Sequence, residues 1–96
     1  MLIYIDIDET ICTKTDDGDY SLAQPIVENI KKANRLYDNG NTVIYWTARG
    51  SVTGIDWREV TEKQFEKWKV KYHELRFGKP PYDLMICDKT MHPKDW

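Results

Sequence analysis

No apolar run in the chain approaches the roughly 20 residues that a bilayer span needs. Basic residues are in no excess either. Lys and Arg number 14 against 16 Asp and Glu, a net charge of −2, so the basic face of a general nucleic-acid binder is missing. Cysteine is scarce: Cys12 and Cys87 are too few and too far apart for a zinc knuckle, and are expected to be reduced core thiols. There is no low-complexity tract, no internal repeat, and no basic segment with an apolar signal core at the start. These absences lead to the expectation of a soluble, cytoplasmic protein that meets neither nucleic acid nor membrane.

What is present fits one small α/β domain, residues 1–96, with a core modest enough to make a homo-oligomer a reasonable expectation. Leu2–Ile7 is apolar on both faces, the pattern of a central parallel strand. Residues 13–24 are polar, with turn chemistry at 16–19, and are expected to form a small flap. Pro25 opens a helix that Gly40 closes, with Ile26, Ile30, Ala33 and Tyr37 on its apolar face.

Thr42–Trp46 reads as a second buried strand. Asp56 and Glu59 have the spacing of a capping box, with Trp57, Val60, Phe65, Trp68 and Tyr72 as the apolar stripe of a second helix. Residues 73–77 read either as a short strand or as more of that helix. Gly78, Pro80 and Pro81 end that element, and Asp83–Cys87 reads as a last strand ending in Asp88. Alternating strands and helices imply right-handed βαβ units and a parallel sheet.

Ligands of open parallel sheets bind beyond the carboxyl ends of the strands. Asp6, Asp8, Thr47 and Asp88 all fall at such ends, and Lys79 lies in a loop able to reach the same rim. Carboxylates gathered there repel one another unless a cation sits between them, and a hard all-oxygen site suits Mg²⁺. A phosphate ester at the rim would be neutralised by the cation, Lys79 and the Thr47 hydroxyl. Asp6 is positioned to attack phosphorus, and Asp8 to protonate the leaving group and then activate water.

The residues "DIDET", "VIYWT", "GKP" and "LMICD" resemble, in order, the four motifs of the haloacid dehalogenase superfamily of phosphotransferases. The likeness spans nearly the whole chain and is greatest to small members that act in capsule-polysaccharide biosynthesis, where "TAR" and "GKP" also occur. It implies a Rossmann-like three-layer sandwich with sheet order 4-1-2-3 and no cap domain. It further implies phosphomonoester hydrolysis through an aspartyl-phosphate on Asp6, on a small substrate such as a sugar phosphate. Asp6, Asp8 (through its backbone carbonyl) and Asp88 would hold Mg²⁺, and Thr47, Ala48, Arg49 and Lys79 the phosphate.

Two features depart from that pattern. Cys87 stands where many relatives have a second acid beside Asp88, and Lys89 follows directly. The link Gly78–Tyr82 is also very short for a parallel crossover, which usually takes about a dozen residues. The missing acid and the absent cap keep a second expectation open, a non-catalytic module of the same fold that binds Mg²⁺ and a phosphorylated ligand or partner. A phospho-acceptor receiver domain shares the chemistry, but receivers place the acceptor on a middle strand rather than the first.

Overall fold

A computed structural model describes residues 1–96. Three strands, β1 (Leu2–Ile5), β2 (Thr42–Trp46) and β3 (Glu74–Arg76), form one parallel sheet in the order β1-β2-β3. Helix α1 (Val27–Asp38) joins β1 to β2, and α2 (Arg58–Trp68) joins β2 to β3. The register pairs Leu2 with Thr42 and Ile5 with Tyr45, then Ile44 with Glu74 and Trp46 with Arg76.

Right-handed crossovers carry both helices to the same face of a sheet in this order. Ile30 and Ala33 of α1 and Phe65 of α2 accordingly share one core with Ile5, Val43, Tyr45 and Leu75. An edge-to-face aromatic set closes that core: the Phe65 ring lies 4.9 Å from Tyr45 and 5.1 Å from Tyr72. The other face of the sheet carries Leu2, Tyr4, Ile44, Trp46 and Arg76. Tyr4 packs edge-on to Trp46 at 5.9 Å, and Arg76 donates to the Tyr4 hydroxyl at 2.6 Å.

The sheet order corrects the expected 4-1-2-3. Residues 83–87 form no strand, and every residue from Pro80 to His92 is exposed. Leu84 and Ile86 are 74% and 91% exposed. The cause is the preceding link: two prolines without an N–H and a tight bend from Tyr82 N–H to Pro80 C=O (3.0 Å) leave too little chain to cross the sheet. Cys87, expected in the core, is exposed for the same reason, whereas Cys12 is buried.

The ambiguity at 73–77 is resolved in favour of a strand. Helix α2 stops at Trp68, where Lys69 takes the left-handed conformation (φ 59°) and its N–H closes the last turn. The expected Asp56–Glu59 capping box does not form: Trp57 stands at the N-cap of α2 without a side-chain cap, and Asp56 accepts instead from Arg58 N–H at 3.0 Å, in the turn that leads into the helix. The flap is closed at its base by Thr13 N–H to Gln24 C=O at 2.9 Å, and a short 3-10 turn, Tyr20–Leu22, lies within it. No helix is long and apolar enough to cross a membrane.

The Tyr45 hydroxyl is buried without a hydrogen-bond partner, and burial pushes its pKa up. Since an unpaired buried polar group costs roughly 1–3 kcal/mol, Tyr45→Phe is expected to stabilise the fold by about 1 kcal/mol. Thermal or urea unfolding measures this, and a loss of stability would show that the hydroxyl has a partner.

Candidate active site

The rim site begins where β1 ends. Ile7 C=O accepts from both Thr10 and Ile11 N–H, at 3.1 and 2.9 Å, turning the chain sharply after Asp6 and Asp8. Glu9 takes the left-handed conformation there (φ 63°), which a side chain adopts only at a cost. The turn leaves Asp6 and Asp8 partly exposed while Ile5 and Ile7 stay buried.

Asp6 faces Lys79, whose Nζ lies 3.5 Å from Oδ1. Lys79 is itself fixed by its backbone: its N–H donates to Thr47 C=O at 3.1 Å, and its C=O accepts from the Ser51 hydroxyl at 2.9 Å. Its ammonium also sits over the Trp46 and Tyr82 rings, at 5.9 and 5.3 Å. Burial raises the Asp6 pKa above its ordinary 3.8. Lys79 and the Ile7 N–H pull it back, and the Asp8 charge pushes it further up.

Asp8 is held differently. Arg49 grips both its oxygens, Nε to Oδ2 at 3.0 Å and Nη2 to Oδ1 at 2.9 Å, a bidentate fork. The Arg49 side chain is fully buried. Its Nη1 donates to Thr61 Oγ1 at 3.0 Å and to Gln64 Oε1 at 2.7 Å, and the Tyr20 ring covers the guanidinium at 4.9 Å. Gln64 in turn donates to Tyr20 C=O at 2.6 Å, tying α2 to the flap.

Thr47 is buried, and its hydroxyl accepts from Arg49 N–H at 3.1 Å, which turns the chain as β2 ends. Ala48 is half-buried between them. Gly50 then takes φ 79°, and a Cβ there would collide with the Ile55 carbonyl, so the loop closes only with glycine. A cleft of about 180 Å³ opens at the rim between Arg49–Ser51, Ile55–Trp57 and Phe77–Gly78.

The structure thus brings Asp6, Asp8, Thr47, Arg49 and Lys79 to one rim. Asp88 is exposed in the segment that leaves the sheet, and no three acidic, His or Cys side chains are grouped to hold a metal ion. Sequence reasoning missed Thr61 and Gln64. Their only signal was two polar residues on the side of α2 that also carries Phe65. Cys12, beside Asp8 and Arg49, is pushed up to about 12, chiefly by burial and then by the Asp8 charge, which keeps it a thiol.

No family model matches the chain, and no curated protein matches it. Two solved structures share its fold. The crystal structure of an MCSG target from Vibrio cholerae has a TM-score of 0.85 at 23% identity, over 98% of this chain and 85% of that one. A chain of the Pnkp1/Rnl/Hen1 complex has a TM-score of 0.64 at 17% identity, over 98% of this chain and 32% of that one. This chain therefore spans about a third of the second. At these identities the likeness establishes the α/β fold and no more.

Two predictions follow from the rim. Arg49→Ala removes the shared donor of the Asp8 carboxylate, Thr61 Oγ1 and Gln64 Oε1 and is expected to cost about 3–5 kcal/mol. Chemical unfolding tests it, and a cost below about 1 kcal/mol, the value of an ordinary surface pair, would contradict it. For Asp6, the folded state keeps the proton to higher pH than the unfolded chain. Stability must therefore fall as pH rises from 3.8 through the raised value, then level off. In metal-free protein, Asp6→Asn is expected to remove that decline from a melting-temperature profile; an unchanged profile would refute the assignment.

Proposed function

We propose that the chain is a phosphomonoester hydrolase of the haloacid dehalogenase type, dependent on Mg²⁺ and acting through an aspartyl-phosphate on Asp6. The observation that carries this reading is the pairing of Asp6 with Lys79 at the carboxyl rim of a parallel sheet, with Asp8 two residues on. Asp6 Oδ2 is the attacking atom, since Oδ1 faces Lys79. As the bond to phosphorus forms, the bond to the leaving oxygen breaks and Asp8 supplies that oxygen's proton. Asp8 then takes a proton from the water that cleaves the acyl phosphate.

Lys79 offsets charge on the phosphoryl oxygens. The Arg49 fork aims Asp8, and one arm of it must open for Asp8 to carry a proton. A sugar phosphate is the substrate that the resemblance suggests; the cleft of about 180 Å³ beside Arg49 is not lined by Asp6, Asp8 or Lys79 and does not select it.

Mg²⁺, when bound, would neutralise the phosphate and keep Asp6 ionised. The donors at the rim fit it only in part. The Asp6 carboxylate and the Asp8 carbonyl are available, while both Asp8 carboxylate oxygens are taken by Arg49 and no third acid is near. That shortfall also favours a second reading, a non-catalytic module that binds a phosphorylated ligand.

Hydrolysis of an aryl phosphate decides between the two. Turnover is expected with Mg²⁺, is abolished by a chelator, and falls at least about 10³-fold in Asp6→Asn, as expected for loss of a nucleophile. Binding of a phosphate analogue without turnover would support the module instead.

A further inference from the structure

The sheet ends on an unused edge. β1 pairs with β2 on one side only, and Leu2 and Tyr4 are 62% and 47% exposed. An open parallel edge presents a row of unpaired N–H and C=O groups, which proteins ordinarily cover. The same chain carries an uncovered strand-like segment, Asp83–Cys87, whose Leu84, Met85 and Ile86 are all exposed. Asp88, the acid missing from the rim, follows it directly.

The segment cannot reach the edge of its own sheet. For Asp88 to stand level with Asp6, Asp83 must lie level with Met1, at the far end of β1. Lys79 is pinned to Thr47 and Ser51 at the carboxyl rim. From there the chain would descend about 20 Å along the strands and move about 10 Å sideways past β1, a distance of about 22 Å. Only Pro80, Pro81 and Tyr82 stand between Lys79 and Asp83, and a fully extended link of that length spans about 14 Å. The bend at Pro80–Tyr82 shortens it further. An antiparallel approach would need less chain but would leave Asp88 at the wrong end of the sheet.

We infer that the chain acts as a symmetric dimer in which residues 83–88 of each copy pair in parallel with the free β1 edge of the other, so that each site receives Asp88 from its partner. A second copy can sit where the arm reaches as a loop held on its own chain at both ends, by Lys79 at the rim and by Trp96, whose C=O accepts from Lys32 Nζ at 2.8 Å. Exchange of an identical element between copies closes into a two-fold pair in which each copy gives one arm and receives one. The segment Asp83–Cys87 is one residue longer than β1, and its pairing covers the exposed apolar residues of both. The register of the pairing and the delivery of Asp88 to a metal site both rest on the phosphatase reading; the free β1 edge and the exposed segment do not.

Leu2 and Leu84 fall level in this pairing, and both are exposed, so cysteines there leave the core intact. In a Cys87→Ser background, the Leu2→Cys, Leu84→Cys double variant is expected to oxidise to a reductant-sensitive covalent dimer on a denaturing gel. Neither single variant should do so, and light scattering should give the wild type a dimer mass. A monomeric mass, or a cross-link confined to one chain, overturns the inference.

Co-expression of Asp6→Asn with Asp88→Asn, each inactive alone, is the second arm. Exchange places one intact site in every mixed dimer, so roughly a quarter of wild-type turnover should return. A covalent dimer without this recovery, when the wild type is active, overturns the delivery of Asp88. A covalent dimer of an inactive wild type upholds the pairing and refutes the hydrolase reading.

Discussion

Arg49 is the residue on which the rim depends. A guanidinium with no exposed surface is tolerable only if its donors are matched, and here Asp8 after β1 and Thr61 and Gln64 on α2 meet them. One side chain thereby fixes the turn after β1, the start of α2 and, through Gln64 and Tyr20, the flap. A buried ion pair of this kind adds little net stability over an apolar equivalent. Its effect lies in geometry, since it permits one arrangement of Asp8 relative to Asp6.

The same network sets the two aspartates apart. Asp6 is paired at 3.5 Å with a lysine and lifted by burial, while Asp8 is locked in a fork at 2.9 and 3.0 Å. Two carboxylates two residues apart are thus given different environments, burial favouring the protonated form of Asp6 while Arg49 holds both oxygens of Asp8. Lys79 belongs to both halves of this design. Its backbone staples the segment after β3 to the end of β2, and its ammonium faces Asp6.

Much of this was legible in the sequence. Apolar strands ending in Asp6, Asp8 and Thr47 place those residues on the rim by period alone, and the helix preceding Gly40 was readable from local chemistry. Arg49 was expected at the rim from the resemblance, but its burial was not legible, because an arginine in a glycine-rich loop looks exposed; the burial arises from Thr61 and Gln64, which are distant in sequence. The fourth strand fails for a reason also written in the chain. "DLMIC" has the right residues for a strand, but the link "GKPPY" is too short to carry it across three others. Local propensity and chain length conflict there.

The central claim is that Asp6 becomes phosphorylated. Acid-quenching the protein during turnover of a phosphate ester with Mg²⁺, followed by mass spectrometry of its peptides, tests it most directly. The account predicts an alkali-labile phosphoryl group on Asp6, absent in the Asp6→Asn variant. Turnover with no adduct, or with one on another residue, would contradict it.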